Sequence, residues 1–210
     1  MENLEMLSEN WYALCARMGA KRGVLKTFQI LVSQYSDPYR GYHNQDHIAF
    51  CLAEFYEVKN LFKNPDEAEM ALFMHDSIYN TASNSNESSS AIFSDIMLKY
   101  MGIGKKSRNL ISEFVMGTKH DKKPKTRDGM MICDIDLAIM GYPWETYEQA
   151  GEKIRKEFSW IPEAVGIKMR TDFLNGLLKQ DKIFLTDHFR EKYEEQTRKN
   201  LIRAIEKLQN

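Results

Sequence analysis

The chain carries five histidines, His43, His47, His75, His120 and His188. Imidazole both titrates near neutrality and binds divalent metals, so the neighbours of each histidine decide its use. Two precede an aspartate, as His75-Asp76 and His120-Asp121. The second dipeptide lies in Lys119-His120-Asp121-Lys122-Lys123-Pro124-Lys125, a basic stretch that reads as a solvated loop. The first ends an apolar segment bearing Ala68, Ala71 and Leu72, where a charged carboxylate needs a partner. Small Ala68 and Ala71 predict close approach of a neighbouring helix, as a site built between helices requires.

Two further segments supply ligand-type side chains. His43-Asn44-Gln45-Asp46-His47 sets two imidazoles four residues apart, on one side of a predicted helical first turn. His47 continues an apolar face with Cys51 and Phe55, which predicts that it points inward. The stretch 130–140 is apolar all round except for Asp134 and Asp136, so it reads as a buried helix whose carboxylates must be paired, hydrogen-bonded or metal-bound. Two residues apart on a helix, they point roughly 200° from each other, and one of them can face a given site. Pairing with arginines such as Arg155 or Arg170 is the structural alternative. His47, His75, Asp76 and one of Asp134/Asp136 form a mixed nitrogen and oxygen set that suits a divalent ion with open water positions: Mn, Fe, Co, Ni, Zn or Mg. Cys51 and Cys133 lie near this set in sequence but read as small buried hydrophobes.

The elements that must position these groups are helical throughout. Apolar residues recur at three- and four-residue spacing over 2–18, 24–35, 45–63 and 66–77. Further helices are expected at about 86–100, 105–118, 128–140, 144–160, 163–180 and 187–208. Ser36-Asp37-Pro38 and Asn64-Pro65-Asp66 break the pattern, and Gly102 and Gly104 close the helix before them. No alternating run is long enough for a strand, so 1–210 is expected to form a single all-α domain. Phe189, Tyr193, Leu201, Ile205 and Leu208 form a C-terminal stripe that reads as core or as a homodimer contact.

Composition bounds the function classes. At 43% apolar and 28% charged over 210 residues, this is globular composition. A net charge of −1 is the wrong balance for stable binding to nucleic-acid backbone. No apolar run approaches the roughly 20 residues of a membrane span, and the acidic start Met1–Glu5 lacks a hydrophobic signal region. Three scattered cysteines without a C-x-x-C fit a reducing compartment, and the expected location is the cytoplasm.

The order H…HD…D across an all-α chain resembles the HD-domain superfamily of metal-dependent phosphohydrolases. Tyr42-His43-Asn44-Gln45-Asp46-His47 is similar to the Y-H-N-x-x-H segment of cyclic-nucleotide phosphodiesterases. Arg40–Asn44, His75-Asp76-Ser77-Ile78-Tyr79, Asn86-Glu87-Ser88, Asp134–Gly141 and Ile154–Phe158 resemble a bacterial branch of the superfamily, and the likeness runs over residues 5–208. The resemblance implies His47, His75, Asp76 and Asp136 as metal ligands, Asp136-Leu137 fitting the superfamily's final aspartate followed by an apolar residue. It implies His43 as the proton-donating histidine. The chain is shorter than a phosphodiesterase catalytic domain and lacks a recognisable second half of its purine pocket, so cyclic-nucleotide specificity is not implied.

Other residues complete the expectation. Arg40 can bind phosphate bidentately, with a structural ion pair as the alternative. Glu87, near a helix start, can orient water at the metal or be an exposed first-turn glutamate. The basic loop 119–127 can draw an anionic substrate, with Lys119 and His120 touching phosphate or His120 completing a second metal site. The expected activity is metal-dependent hydrolysis of a phosphoester in a nucleotide or related small phosphorylated metabolite. A non-catalytic metal- or nucleotide-binding sensor is the reading from another class.

Overall fold

Breaker and capping residues set the helix boundaries in a computed structural model, which describes residues 2–209. In chain order the helices are α1 (Glu2–Arg17), α2 (Val24–Tyr35), α3 (Gln45–Val58), α4 (Pro65–Met74), α5 (Asn86–Met101), α6 (Lys105–Gly117), α7 (Arg127–Leu137), α8 (Trp144–Glu157), α9 (Glu163–Leu178) and α10 (Asp187–Gln209). Short 3-10 turns, Lys59–Leu61 and Ala138–Gly141, follow α3 and α7. Among the described residues all regular structure is helical, giving the all-α fold expected from the periodicity. Among the described residues no helix is long and apolar enough to cross a membrane.

Local chemistry accounts for the ends. The Asn44 side chain accepts the Asp46 backbone N–H and so caps α3, and Pro65 opens α4 where its missing N–H is harmless. Thr126 caps α7 through the Gly129 N–H. Gly102 closes α5 at φ 86, a left-handed conformation that a side chain would strain. The expected helix 66–77 stops early, at Met74. His75 is its C-cap residue, and Ser77 N–H folds back onto the Met74 carbonyl, so Asp76 sits on a turn beyond the helix.

α4 is enclosed on every side: residues 68–74 are all buried, Glu69 included, where the sequence suggested a single apolar face. It packs against α1, α3, α6 and α7. Trp11 of α1 meets the Phe73 ring edge-on at 5.4 Å. Each buried aromatic of this kind contributes about 1.5–3 kcal/mol by leaving water. Phe189, Tyr193 and Leu201 are core residues of α10. The consequence for function is that the ends of α4 and α7 and the start of α3 converge on one buried point.

Candidate metal centre and its neighbouring histidine

Four side chains from α3, the turn after α4, and α7 meet there. His47 Nε2 and His75 Nε2 lie 3.0 Å apart. Asp136 Oδ1 is 3.2 Å from His47 Nε2 and 3.6 Å from His75 Nε2; Asp76 Oδ2 is 3.6 Å and 3.1 Å from the same atoms. Ligand bonds of about 2.0–2.2 Å put neighbouring donors about 3.3 Å apart in a tetrahedron and about 2.9 Å apart in an octahedron, so the measured separations suit a small divalent ion. His75 Nδ1 donates to the Leu72 carbonyl at 2.9 Å, which turns Nε2 toward the common centre.

His47, Cys51, His75 and Asp136 each bring one donor atom within 4.8 Å of the others, a buried cluster able to hold a metal ion. The place of Cys51 in it is peripheral. Its Sγ lies 3.7 Å from His47 Nε2 and 3.8 Å from Nδ1, so it is nearly equidistant from the two nitrogens and not in line with either lone pair. An ion about 2 Å ahead of Nε2 would be about 4 Å or more from that sulfur, against about 2.3 Å for a zinc–sulfur bond. Asp76 is the better-aimed fourth donor.

The electrostatics agree with a centre that attracts positive charge. Burial pushes carboxyl groups up, yet His75, His43 and His47 outweigh it and hold Asp76 below the usual carboxylate range. Asp136 is held well below that range against the same burial, by His120, His47 and His75. Burial opposes a charge on His75, but Asp76 and Asp136 prevail and raise it well above 6.5. For His47 burial dominates and its pKa is lowered.

The aspartates on α7 have separate employments. Asp134 Oδ1 accepts Leu185 N–H at 2.7 Å, and its Oδ2 accepts Thr186 N–H at 2.8 Å and the Thr186 hydroxyl at 2.6 Å, tying α7 to the start of α10. Neither expected arginine pairs with it: Arg155 bridges to Glu163, and Arg170 reaches the Tyr147 hydroxyl. Asp136 faces the cluster with Oδ1 and offers Oδ2 to His120 Nε2 at 2.9 Å. His120 reaches it from a left-handed backbone (φ 56), the one non-glycine residue with positive φ among those described.

His43 lies outside the helix, just before the Asn44 cap, and not in its first turn. Its Nδ1 is 2.7 Å from Glu157 Oε2, and Glu157 Oε1 accepts the backbone N–H of Tyr42 and of His43, both at 2.8 Å. Tyr79 stacks on the His43 ring at 4.3 Å and donates its hydroxyl to Glu157 Oε2 at 3.0 Å. With Nδ1 engaged, Nε2 is the nitrogen left to act. Burial disfavours the imidazolium, but the Glu157 hydrogen bond with Asp76 and Asp136 outweighs it and raises the His43 pKa. Glu157 is correspondingly lowered, His43 overcoming burial. Sequence reasoning gave Glu157 no role. It falls on the stripe Tyr147, Ala150, Ile154, Glu157, and a carboxylate on an apolar stripe is the signal that was there to read.

The remaining expected residues divide. Arg40 does not present a free fork to a phosphate; its guanidinium is buried against backbone carbonyls. Glu87 is half-buried in the first turn of α5 and makes no hydrogen bond or ion pair with the cluster. Lys119 is exposed and paired with Asp121 at 3.4 Å. The Tyr42 hydroxyl is buried without a hydrogen-bond partner among the described residues, and its ring lies 5.0 Å from His43 and 4.9 Å from His47. The protein thus leaves one buried hydroxyl unsatisfied on a ring beside both histidines. No family model, curated protein or solved structure matches the chain.

Proposed function

We propose that the protein is a metal-dependent phosphohydrolase of HD type, cleaving a phosphoester of a nucleotide or related small phosphorylated metabolite. The observation that carries this reading is the adjacency of two arrangements: four converging donors (His47, His75, Asp76, Asp136) and a histidine held by a buried glutamate. A divalent ion held by the four would supply Lewis acidity toward a phosphoryl oxygen and lower the pKa of water. The chain's own residues supply the rest. Glu157 fixes the His43 ring through Nδ1 and favours its protonated form, so that Nε2 delivers a proton to the leaving oxygen. Tyr79 stacks against that ring and keeps its plane. His120 holds the outer oxygen of Asp136 and leaves the inner one for the ion. The basic loop that carries Lys119 and His120 attracts an anionic substrate.

The test is a panel of nucleoside mono-, di- and triphosphates, cyclic nucleotides and sugar phosphates, run on metal-stripped protein with each divalent ion added back. Ion-dependent release of phosphate or nucleotide that vanishes in His75→Ala is expected. Metal-loaded protein inert against the whole panel would sink the reading.

A further inference from the structure

We propose that Arg40 is a positioning residue that locks the His43 segment to the His75–Asp76 turn, a role resting on the phosphohydrolase reading above. Its Nη1 donates to the His43 carbonyl at 3.1 Å and to the Asp76 carbonyl at 2.6 Å, and its Nη2 donates to the Ser77 carbonyl at 3.2 Å. One planar cation thus spans two chain segments, one bearing the proton-delivering histidine and the other two of the four converging donors. The guanidinium also lies over the rings of Tyr35, at 4.9 Å, and Tyr79, at 5.5 Å. The Tyr35 hydroxyl accepts the Asp76 backbone N–H at 3.0 Å, so Asp76 is gripped at its amide and at its carbonyl. Tyr79 is the ring that stacks on His43. The same cation therefore bears on His43 through its carbonyl and through the ring packed against it.

Phosphate binding is a poorer use of this side chain. Both Nη1 hydrogens are engaged, which closes the end-on fork that grips phosphate bidentately. Arg40 also lines an open groove of about 390 Å³ together with Asp37 and Asp46, whose two carboxylates oppose an anion there. A guanidinium holds its donors on separate nitrogens in one fixed plane, whereas a lysine carries its three donors on a single compact nitrogen at the end of a flexible stem.

The roles separate by experiment. Misplacement of a reacting group by about 1 Å costs roughly 10²-fold. Arg40→Ala is therefore expected to lower kcat on an alkyl phosphoester about 10²-fold, with KM and inhibition by inorganic phosphate changed less than about threefold. Arg40→Lys should be no better than Arg40→Ala, and free guanidinium ion should restore part of the lost turnover. Tyr35→Phe, which keeps the ring and removes the acceptor for Asp76 N–H, should show a smaller loss confined to kcat. A near-normal Arg40→Lys, or an Arg40→Ala in which inorganic phosphate inhibits tenfold more weakly, would overturn the lock in favour of a phosphate contact. Amide hydrogen exchange reads the lock without turnover: Arg40→Ala should expose residues 42–44 and 77–79 together, reversed by guanidinium. If wild type hydrolyses no ester, the phosphohydrolase reading fails while this measurement still decides the lock; exchange unchanged in either segment refutes it.

Discussion

Replacing Glu157 by Gln isolates the charge behind His43 with little change of shape. Glutamine keeps one oxygen for the Tyr42 and His43 amides but sets an uncharged group against His43 Nδ1 and the Tyr79 hydroxyl. A hydrogen bond to a charged group is worth about 1.5–3 kcal/mol. Its loss lowers the His43 pKa, because the Glu157 hydrogen bond is the strongest influence raising it. The alkaline limb of log kcat/KM against pH should move to lower pH, and at about 1.4 kcal/mol per tenfold, kcat/KM on that limb should fall about 10–100-fold. Metal affinity should change little, because Glu157 touches none of the four converging donors. Stability gives a second readout with a definite sign. The raised pKa of His43 makes its contribution full below 6.5 and lost as pH rises through the folded value. The lowered pKa of Glu157 makes its contribution full above 4.5 and lost as pH falls through the folded value. The Tm deficit of Glu157→Gln should therefore be largest between 4.5 and 6.5 and shrink on both sides. An alkaline limb that stays in place while the rate falls would show that the pair does not set the proton inventory of the reaction.

Three further outcomes can be measured. Asp134→Asn should cost about 1–3 kcal/mol in urea unfolding by opposing an amide to the Leu185 and Thr186 donors, with metal affinity intact; Asp136→Asn should weaken metal binding at least about tenfold, and the reverse pattern would reassign the two. Because Asp76 and Asp136 raise the His75 pKa, and a metal needs its nitrogen unprotonated, metal binding near neutral pH should release about one proton and strengthen as pH rises. Calorimetry in buffers of different ionisation enthalpy checks this, and zero release refutes it. Gly41→Ala would set a Cβ 2.6 Å from the backbone carbonyl of Lys153, which cannot rotate away. It should cost about 1–3 kcal/mol and lower turnover with metal retained, whereas wild-type behaviour would mean that the His43 segment does not need its seat on α8.

Most of the helical frame was legible without the structure. Apolar spacing with Pro38, Pro65 and Gly102 as breaks places all ten helices within a few residues, because periodicity and backbone sterics act over a single turn. Candidate ligand-type residues stood out too: His47, His75, Asp76 and the pair Asp134/Asp136 interrupt or end apolar segments. What the sequence left open was partnership. That Asp134 and Asp136 point apart follows from helix geometry, but which one meets the histidines depends on how α10 docks, because Leu185 and Thr186, just before its start, claim Asp134. Glu157 lies 114 residues from His43, and no local pattern links them. Arg40 stands three residues before His43, yet its decisive acceptors are carbonyls 36 and 37 residues further on. Element type is set by interactions within a few residues, whereas the partner of a buried charge is set by which helices pack together, and that only the tertiary structure decided.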